Sequence, residues 1–369
     1  MSDKLTHTND CRIMIMAGGT GGHVIPALVV AEKLQKENVR ISWLGTRRGI
    51  ESTLVPKQGI QINYLSVEGL RGRGVVTLLK APFMLMKSIL QAWSILAKFK
   101  PNAVLGMGGF ASGPGAIAAK LKGIPLIIHE QNSIAGTTNR ILSRLANRVM
   151  QGFPDTFDKA EYCGNPVRAE IAAMAPPQTR FASRQGPTRL LVLGGSRGAL
   201  ALNKLIPQAL ALISKDNRPS VRHQTGSQHL SITEDAYKYE GLDCSSESLV
   251  ITPFIDKMEE AYAWADFVIC RSGALTVAEL IAAGLGALLV PFPYAIDDHQ
   301  TSNGNLLVIH GAAKMVQERD LNPQLLADYI QSFCRSTDKR MSMASAARSL
   351  AKNDAADWVA NVCLEVANG

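Results

Sequence analysis

Apolar residues fall along this chain in two alternating patterns. Short unbroken runs occur at residues 12–17 (Arg12-Ile13-Met14-Ile15-Met16-Ala17), 41–44, 103–105, 126–128, 189–193, 249–251, 267–270 and 287–290. Such runs suit strands buried on both faces, as in a parallel sheet. Between them the apolar residues recur at helical spacing. Val24, Leu28, Ala31 and Leu34 lie 4, 3 and 3 positions apart, and Leu202, Leu205, Ile206 and Leu210 continue the same theme later. Twice a strand runs straight into a glycine turn that opens a helix, at Gly18-Gly19-Thr20-Gly21-Gly22-His23 and at Gly194-Gly195-Ser196-Arg197-Gly198. Strand, glycine turn and helix form the opening unit of a doubly wound sheet, and its recurrence half a chain later predicts two α/β domains. A proline-rich stretch from Ala175-Pro176-Pro177 to Gly186-Pro187 reads as the linker. The expected division is 11–168, a linker at 169–187, and 188–345.

Composition narrows the class. With 369 residues, 46% hydrophobic and 19% charged, the chain is globular and neither disordered nor collagen-like. Six cysteines stand far apart with no C-x-x-C pair, which argues against a zinc cluster or disulfide framework and for a reducing compartment. The N-terminus is polar and no apolar stretch reaches membrane-spanning length, so neither a secretory signal nor a membrane span is predicted. The net charge of +8 is unevenly spread: residues 1–168 hold 21 basic and 10 acidic side chains (+11), the remainder 18 and 21 (−3). The first half should therefore meet an acidic partner: nucleic acid, phospholipid or phosphorylated substrate. Within it, Val75–Phe99 is largely apolar, with Thr77, Lys80, Lys87, Gln91, Ser94 and Lys98 tracing a narrow polar stripe. That pattern fits a buried helix or one lying on an anionic membrane surface, where Arg71, Arg73, Lys120 and Lys122 would add charge.

A glycine turn before a helix lets backbone N–H groups approach a phosphate. Gly-Lys never occurs, so a P-loop is excluded, and Gly18–Val24 does not match the dinucleotide fingerprint. Gly106-Met107-Gly108-Gly109-Phe110-Ala111, with Glu130 beyond the next apolar run, matches that fingerprint in part and keeps an oxidoreductase reading open. Three polar clusters sit at strand ends, where open sheets bind ligands: His129-Glu130-Gln131-Asn132, the turn and helix Arg271-Ser272-Gly273-Ala274-Leu275-Thr276-Val277-Ala278-Glu279, and Asp297-Asp298-His299-Gln300 after Pro291-Phe292-Pro293. No D-x-D pair or other ligand spacing is present, so no protein-bound metal is expected.

Taken together, Ala17-Gly18-Gly19-Thr20-Gly21-Gly22-His23, Gly106-Met107-Gly108-Gly109-Phe110, His129-Glu130-Gln131-Asn132, Gly164-Asn165-Pro166-Val167-Arg168, Gly194-Gly195-Ser196 and Arg271-Ser272-Gly273-Ala274-Leu275-Thr276 occur in an order that resembles the MurG family. These are the peptidoglycan N-acetylglucosaminyltransferases that convert lipid I to lipid II. The resemblance implies a GT-B fold: two Rossmann-like domains facing an interdomain cleft, with the C-terminal helix (about 346–369) returning to the first. It implies UDP-N-acetylglucosamine (UDP-GlcNAc) as donor on the second domain and lipid I as acceptor on the first. It further implies peripheral attachment to anionic phospholipid at the cytoplasmic face of the bacterial inner membrane, with no nucleic acid partner and no cofactor. Residue by residue, it assigns Ile255 to the uracil, Glu279 to the ribose, and Ser196 with the amides of Ala274, Leu275, Thr276, Val277 and Ala278 to the diphosphate. Thr20, Gly21, Gly22, Asn132, Arg168 and Gln300 complete the substrate set. Two departures stand out: Phe110 replaces the family's usual tyrosine, and the loop before Gln300 is one residue longer. The implied chemistry is a single inverting displacement with His23 or Glu130 as base. A non-catalytic sugar-nucleotide adaptor and a sugar-nucleotide epimerase are the competing readings.

Overall fold

The computed structural model describes residues 11–67, 75–182, 184–195 and 198–369, and for 75–80 and 296 only the backbone. Ser196, Arg71 and Arg73 lie outside the described residues or, with Lys80, outside the described side chains. By its internal contacts the chain divides into two units, one comprising the residues up to Arg168 together with Lys352–Gly369, the other Ala169–Ala351.

The first unit is built on seven parallel strands: β1 (Arg12–Ala17), β2 (Arg40–Gly45), β3 (Gln61–Tyr64), β4 (Ala103–Gly108), β5 (Leu126–Glu130), β6 (Arg148–Gln151) and β7 (Glu161–Tyr162), in the order 3-2-1-4-5-6-7. β1 lies centrally, pairing Ile13 with Ile41 on one side and Ala103 on the other. Ile13, Met14, Ile15 and Met16 are fully buried because helices cover both faces, which is why the run is continuous rather than alternating. The last helix, Ala355–Asn368, packs here. Val359, Ala360, Val362 and Cys363 join the core beneath the helix Gly21–Lys36, and Lys33 meets Asp357 at 2.7 Å. Each such apolar side chain contributes about 1–3 kcal/mol by burial. Arg148 ties the edge by gripping Glu161 at 2.6 and 2.9 Å and reaching Glu365 at 3.3 Å.

The second unit repeats the topology with six parallel strands: β8 (Arg189–Leu193), β9 (Ser220–Gln224), β10 (Leu249–Thr252), β11 (Phe267–Cys270), β12 (Ala287–Leu289) and β13 (Ala313–Met315), ordered 10-9-8-11-12-13. Phe267 stacks on Phe333 with ring centroids 4.7 Å apart at the heart of its core. The segment 169–187, expected as the linker, packs on the second unit. It carries the short helices Ala169–Ala172 and Pro177–Ala182, buries Ile171 and Phe181, and is pinned by Arg180 to the Gly284 carbonyl (2.7 Å) and by Arg184 to Asp266 (3.1 Å). The helix Thr337–Ser349 also belongs to this unit, and the chain re-enters the first at Lys352.

Candidate functional site

In a sheet ordered 3-2-1-4, consecutive connections leave β1 and β4 in opposite directions, so a gap opens at their C-terminal ends. In the first unit that gap holds two glycine turns in direct contact. Gly18 N donates to the Gly108 carbonyl (3.2 Å), and Gly109, at φ +90°, approaches so closely that a Cβ there would lie 2.4 Å from Gly18 O. Glu51, fully buried, braces the first turn by accepting from Gly19 N (2.9 Å), Thr46 N (2.9 Å) and Thr46 Oγ1 (2.8 Å). Thr20 is exposed and its carbonyl accepts from His23 N and Val24 N, both 3.2 Å, so Gly21 and Gly22 form the first turn of the helix Gly21–Lys36. His23 on that turn is half-buried, its ring against the α-carbon of Gly108, where a Cβ would sit 2.8 Å from Nδ1.

The cluster expected just beyond the strand begins within it. His129 and Glu130 are the last residues of β5, with 0% and 1% exposure. Glu130 is fully engaged in holding a loop. Its Oε1 accepts from Asn132 N (2.9 Å) and Asn132 Nδ2 (3.2 Å), and its Oε2 from Gly136 N (3.2 Å) and Asn139 Nδ2 (2.9 Å). Four donors converging on one buried carboxylate make it a brace for the segment 132–139. The half-buried Asn132 is positioned by it. His129 Nε2 bonds the Gly164 carbonyl at 2.9 Å, and burial pushes its pKa down to about 4. Gln131 links His129 to His23, with Oε1 2.7 Å from His23 Nδ1. Arg168 is half-buried at the end of the unit. A hollow of 470 Å³ opens beside the loop, lined by Ser133, Ile134, Arg140, Arg144, Thr156 and Phe157 among others.

In the second unit the corresponding gap lies between β8 and β11. Gln224 braces its glycine turn in both directions, Gly195 N donating to Oε1 and Nε2 donating to Gly195 O, each at 3.0 Å. The helix Ala274–Ala283 starts at Gly273, which supplies no side-chain cap. The N–H groups of Ala274, Leu275 and Thr276 lie in its unpaired first turn. Val277 N already donates to the Gly273 carbonyl at 2.9 Å, so Val277 and Ala278, expected to offer amides, stand where the helix ladder has begun. Beneath this turn the Ser272 hydroxyl is completely buried without a hydrogen-bond partner among the described residues. Glu279 is 5% exposed and accepts from the Tyr262 hydroxyl at 3.0 Å. Ile255 is half-buried in the loop after β10. Gln300 Oε1 accepts from Phe292 N at 2.9 Å, holding the loop in which Asp297 and Asp298 both adopt left-handed φ (52° and 50°). Arg271 is tied to the Val290 and Pro291 carbonyls, each at 3.1 Å, and to Glu318.

Glu51, Tyr262 and Gln224 were not foreseen. Nothing local in the sequence marks them: Glu51 opens a partly exposed helix, Gln224 ends a polar strand and Tyr262 lies in a short helix. Among the described residues no group of His, Cys, Asp and Glu side chains is placed to hold a metal ion, and no helix is long and apolar enough to cross a membrane. The helix Val75–Phe99, over its described side chains, buries Ser88, Ala92 and Leu96 and exposes Phe83 (80%), Met86 (57%), Leu90 (62%) and Trp93 (40%). Leu121 is exposed, and Lys122 Nζ lies 4.2 Å above the Trp93 ring.

Comparison with known proteins bears on both units. The glycosyltransferase family 28 N-terminal domain matches residues 13–151, and the C-terminal domain of that family matches 189–359. The UDP-N-acetylglucosamine--N-acetylmuramyl-(pentapeptide) pyrophosphoryl-undecaprenol N-acetylglucosamine transferase of Burkholderia pseudomallei (strain 1106a) is 51% identical over 355 residues, 96% of each chain. The Burkholderia thailandensis protein of the same name shares 51% over 96% of each. The crystal structure of Acinetobacter baumannii MurG superposes with a TM-score of 0.82 at 38% identity, covering 96% of this chain and 99% of that one. A UDP-GlcNAc 2-epimerase from Neisseria meningitidis, at 14% identity and TM-score 0.63, shares the fold alone. With paired sheets of one topology, two glycine-turn gaps and a near-full-length likeness of this strength, the chain belongs to the MurG family of glycosyltransferases, of GT-B fold.

Proposed function

We propose that this chain transfers N-acetylglucosamine from UDP-GlcNAc to the 4-hydroxyl of the N-acetylmuramoyl sugar of lipid I, giving lipid II. The observation that carries the reading is 51% identity over 96% of the chain to relatives bearing that activity in their name. The second unit takes the donor. Glu279, steadied by Tyr262, accepts from the ribose hydroxyls, since a carboxylate suits two neighbouring donors. The Ile255 backbone meets the uracil, and Asn132, Arg168 and Gln300 complete the nucleotide-sugar contacts. The open amides of Ala274, Leu275 and Thr276, with Ser196, receive the diphosphate at a helix N-terminus. Developing charge on the leaving diphosphate is thereby met by fixed dipoles and Arg168.

The first unit takes the acceptor, its diphosphate against the Thr20–Gly22 turn. His23 is the base that removes the proton from the attacking hydroxyl, because it is half-buried on the glycine turn while Glu130 is committed to its loop. Attack from the face opposite the departing UDP inverts the anomeric centre. The exposed apolar residues Phe83, Met86, Leu90 and Trp93, with Lys87 on the same helix and Lys122 over the Trp93 ring, form a face suited to anionic phospholipid. We place the protein peripherally at the cytoplasmic side of the inner membrane on that basis.

Incubating the protein with labelled UDP-GlcNAc and a lipid I analogue, with and without EDTA, tests this. Acceptor-dependent UDP release with retained turnover in chelator is the expected result. Sugar chemistry without acceptor identifies an epimerase instead, and UDP binding with no transfer identifies an adaptor.

A further inference from the structure

A line of hydrogen bonds runs from the interior of the first unit to its glycine turn, and elementary donor and acceptor rules give each bond a direction. Gln131 Nε2 lies 3.0 Å from the His129 carbonyl oxygen and 2.9 Å from His129 Nδ1. A carbonyl only accepts, so the atom facing it is the amide nitrogen, and the side chain cannot be turned over. Gln131 Oε1 therefore faces His23 Nδ1, at 2.7 Å. An amide oxygen also only accepts, so His23 Nδ1 carries the proton. Neutral imidazole has one ring proton, which leaves Nε2 bare.

The inner end is locked by the same logic. His129 Nε2 donates to the Gly164 carbonyl at 2.9 Å, leaving Nδ1 to accept the second N–H of Gln131. His129 and Gln131 are 0% and 1% exposed, and Asn165 Nδ2 holds the Gln131 carbonyl at 2.9 Å, so the inner end is rigid. His23, half-buried, is the outer end, and its Nε2 makes no hydrogen bond among the described residues.

We propose that Gln131, seated on His129, is a positioning residue that fixes His23 as the Nδ1–H tautomer and so presents Nε2 as the proton acceptor. The proposal rests on the reading of His23 as base. As the acceptor oxygen forms its bond to the anomeric carbon, the bond from that carbon to the diphosphate breaks and its electron pair leaves with UDP. The hydroxyl proton passes to Nε2. The resulting imidazolium keeps its Nδ1–H on Gln131 Oε1, a neutral oxygen that steadies the cation by its dipole, and later yields the proton to solvent.

The full-length protein labelled with ¹⁵N-histidine decides the matter by NMR, the His23 signals being those lost in His23→Ala. A proton on Nδ1 and a bare Nε2 are expected. Gln131→Met keeps the volume, removes Oε1, and should populate the Nε2–H form. With the lipid I analogue its kcat should fall about 10–100-fold, the range for losing a residue that orients another, while KM for UDP-GlcNAc changes little. An Nε2–H signal in the unaltered protein overturns the proposal even if His23 is the base, and needs no variant to fold. A Gln131→Met protein with the original tautomer and kcat overturns it as well. Near-normal turnover of His23→Ala overturns the base reading beneath it.

Discussion

Each unit buries one histidine in a polar network, and the two networks end differently. In the second unit His223 is 0% exposed, with Nε2 3.1 Å from Asn203 Oδ1 and Nδ1 2.9 Å from the Tyr237 hydroxyl. Asn203 Nδ2 donates to the Thr225 carbonyl at 3.0 Å, which fixes its oxygen toward His223 and makes Nε2 the donor. The bare Nδ1 then accepts from Tyr237, itself fully buried, and the network closes with both ring nitrogens answered. In the first unit the same carbonyl-and-amide lock passes through His129 and Gln131 but stops one bond short, at His23 Nε2. The difference teaches that a buried histidine is inert when its last lone pair is satisfied internally. Chemistry begins where the fold leaves that lone pair open.

Three measurements sharpen the contrast. Removing the open end should have the largest effect: His23→Ala is expected to lower kcat about 10²–10⁴-fold, the usual worth of a general base, with UDP affinity by calorimetry unchanged. A smaller and different effect is expected at the closed network. His223→Phe strands the Asn203 oxygen and the Tyr237 hydroxyl in the core, which should cost about 1–3 kcal/mol per unsatisfied group in thermal unfolding while leaving kcat intact. Loss of catalysis there without loss of stability would break the comparison.

The smallest effect is on acid stability. Burial depresses His129 to about 4 and His223 to about 3 from an ordinary 6.5. Below pH 6.5 the unfolded chain takes up protons at these positions and the folded chain does not, so their stabilising contribution is complete above pH 6.5 and falls as the pH drops. His129→Gln should flatten the slope of stability against pH between 6.5 and 4, measured by urea unfolding, and His223→Phe should do so down to about 3.

Much of this was legible in the residues. The central strands β1, β8 and β11 are unbroken apolar runs because helices cover both their faces, and that pattern survives in the sequence. The edge strands Gln61–Tyr64 and Glu161–Tyr162 and the inner strand Ser220–Gln224 are polar or very short, and nothing in their composition separates them from loop. The helix Val75–Phe99 read equally as core or as surface, since periodicity records which residues share a face and not what covers that face. Glu130 looked like a rival to His23 because a carboxylate at a strand end has the right chemistry. Only the four donors gathered around it show that it organises its loop. The partnership of His23 with Gln131 spans 108 positions and has no local signature.

The return of the last helix has a consequence for biosynthesis. Val359, Ala360, Val362 and Cys363 fill the core that β1 begins, so a nascent chain emerging from the ribosome holds the first strand of that core early and lacks this wall until the helix Ala355–Asn368 has been made. Residues 169–351 have every one of their own contacts available earlier. The half begun first thus gains this helix only after residues 169–351 have been made, and loss of the helix Ala355–Asn368 would strike the opening domain rather than the one it immediately follows.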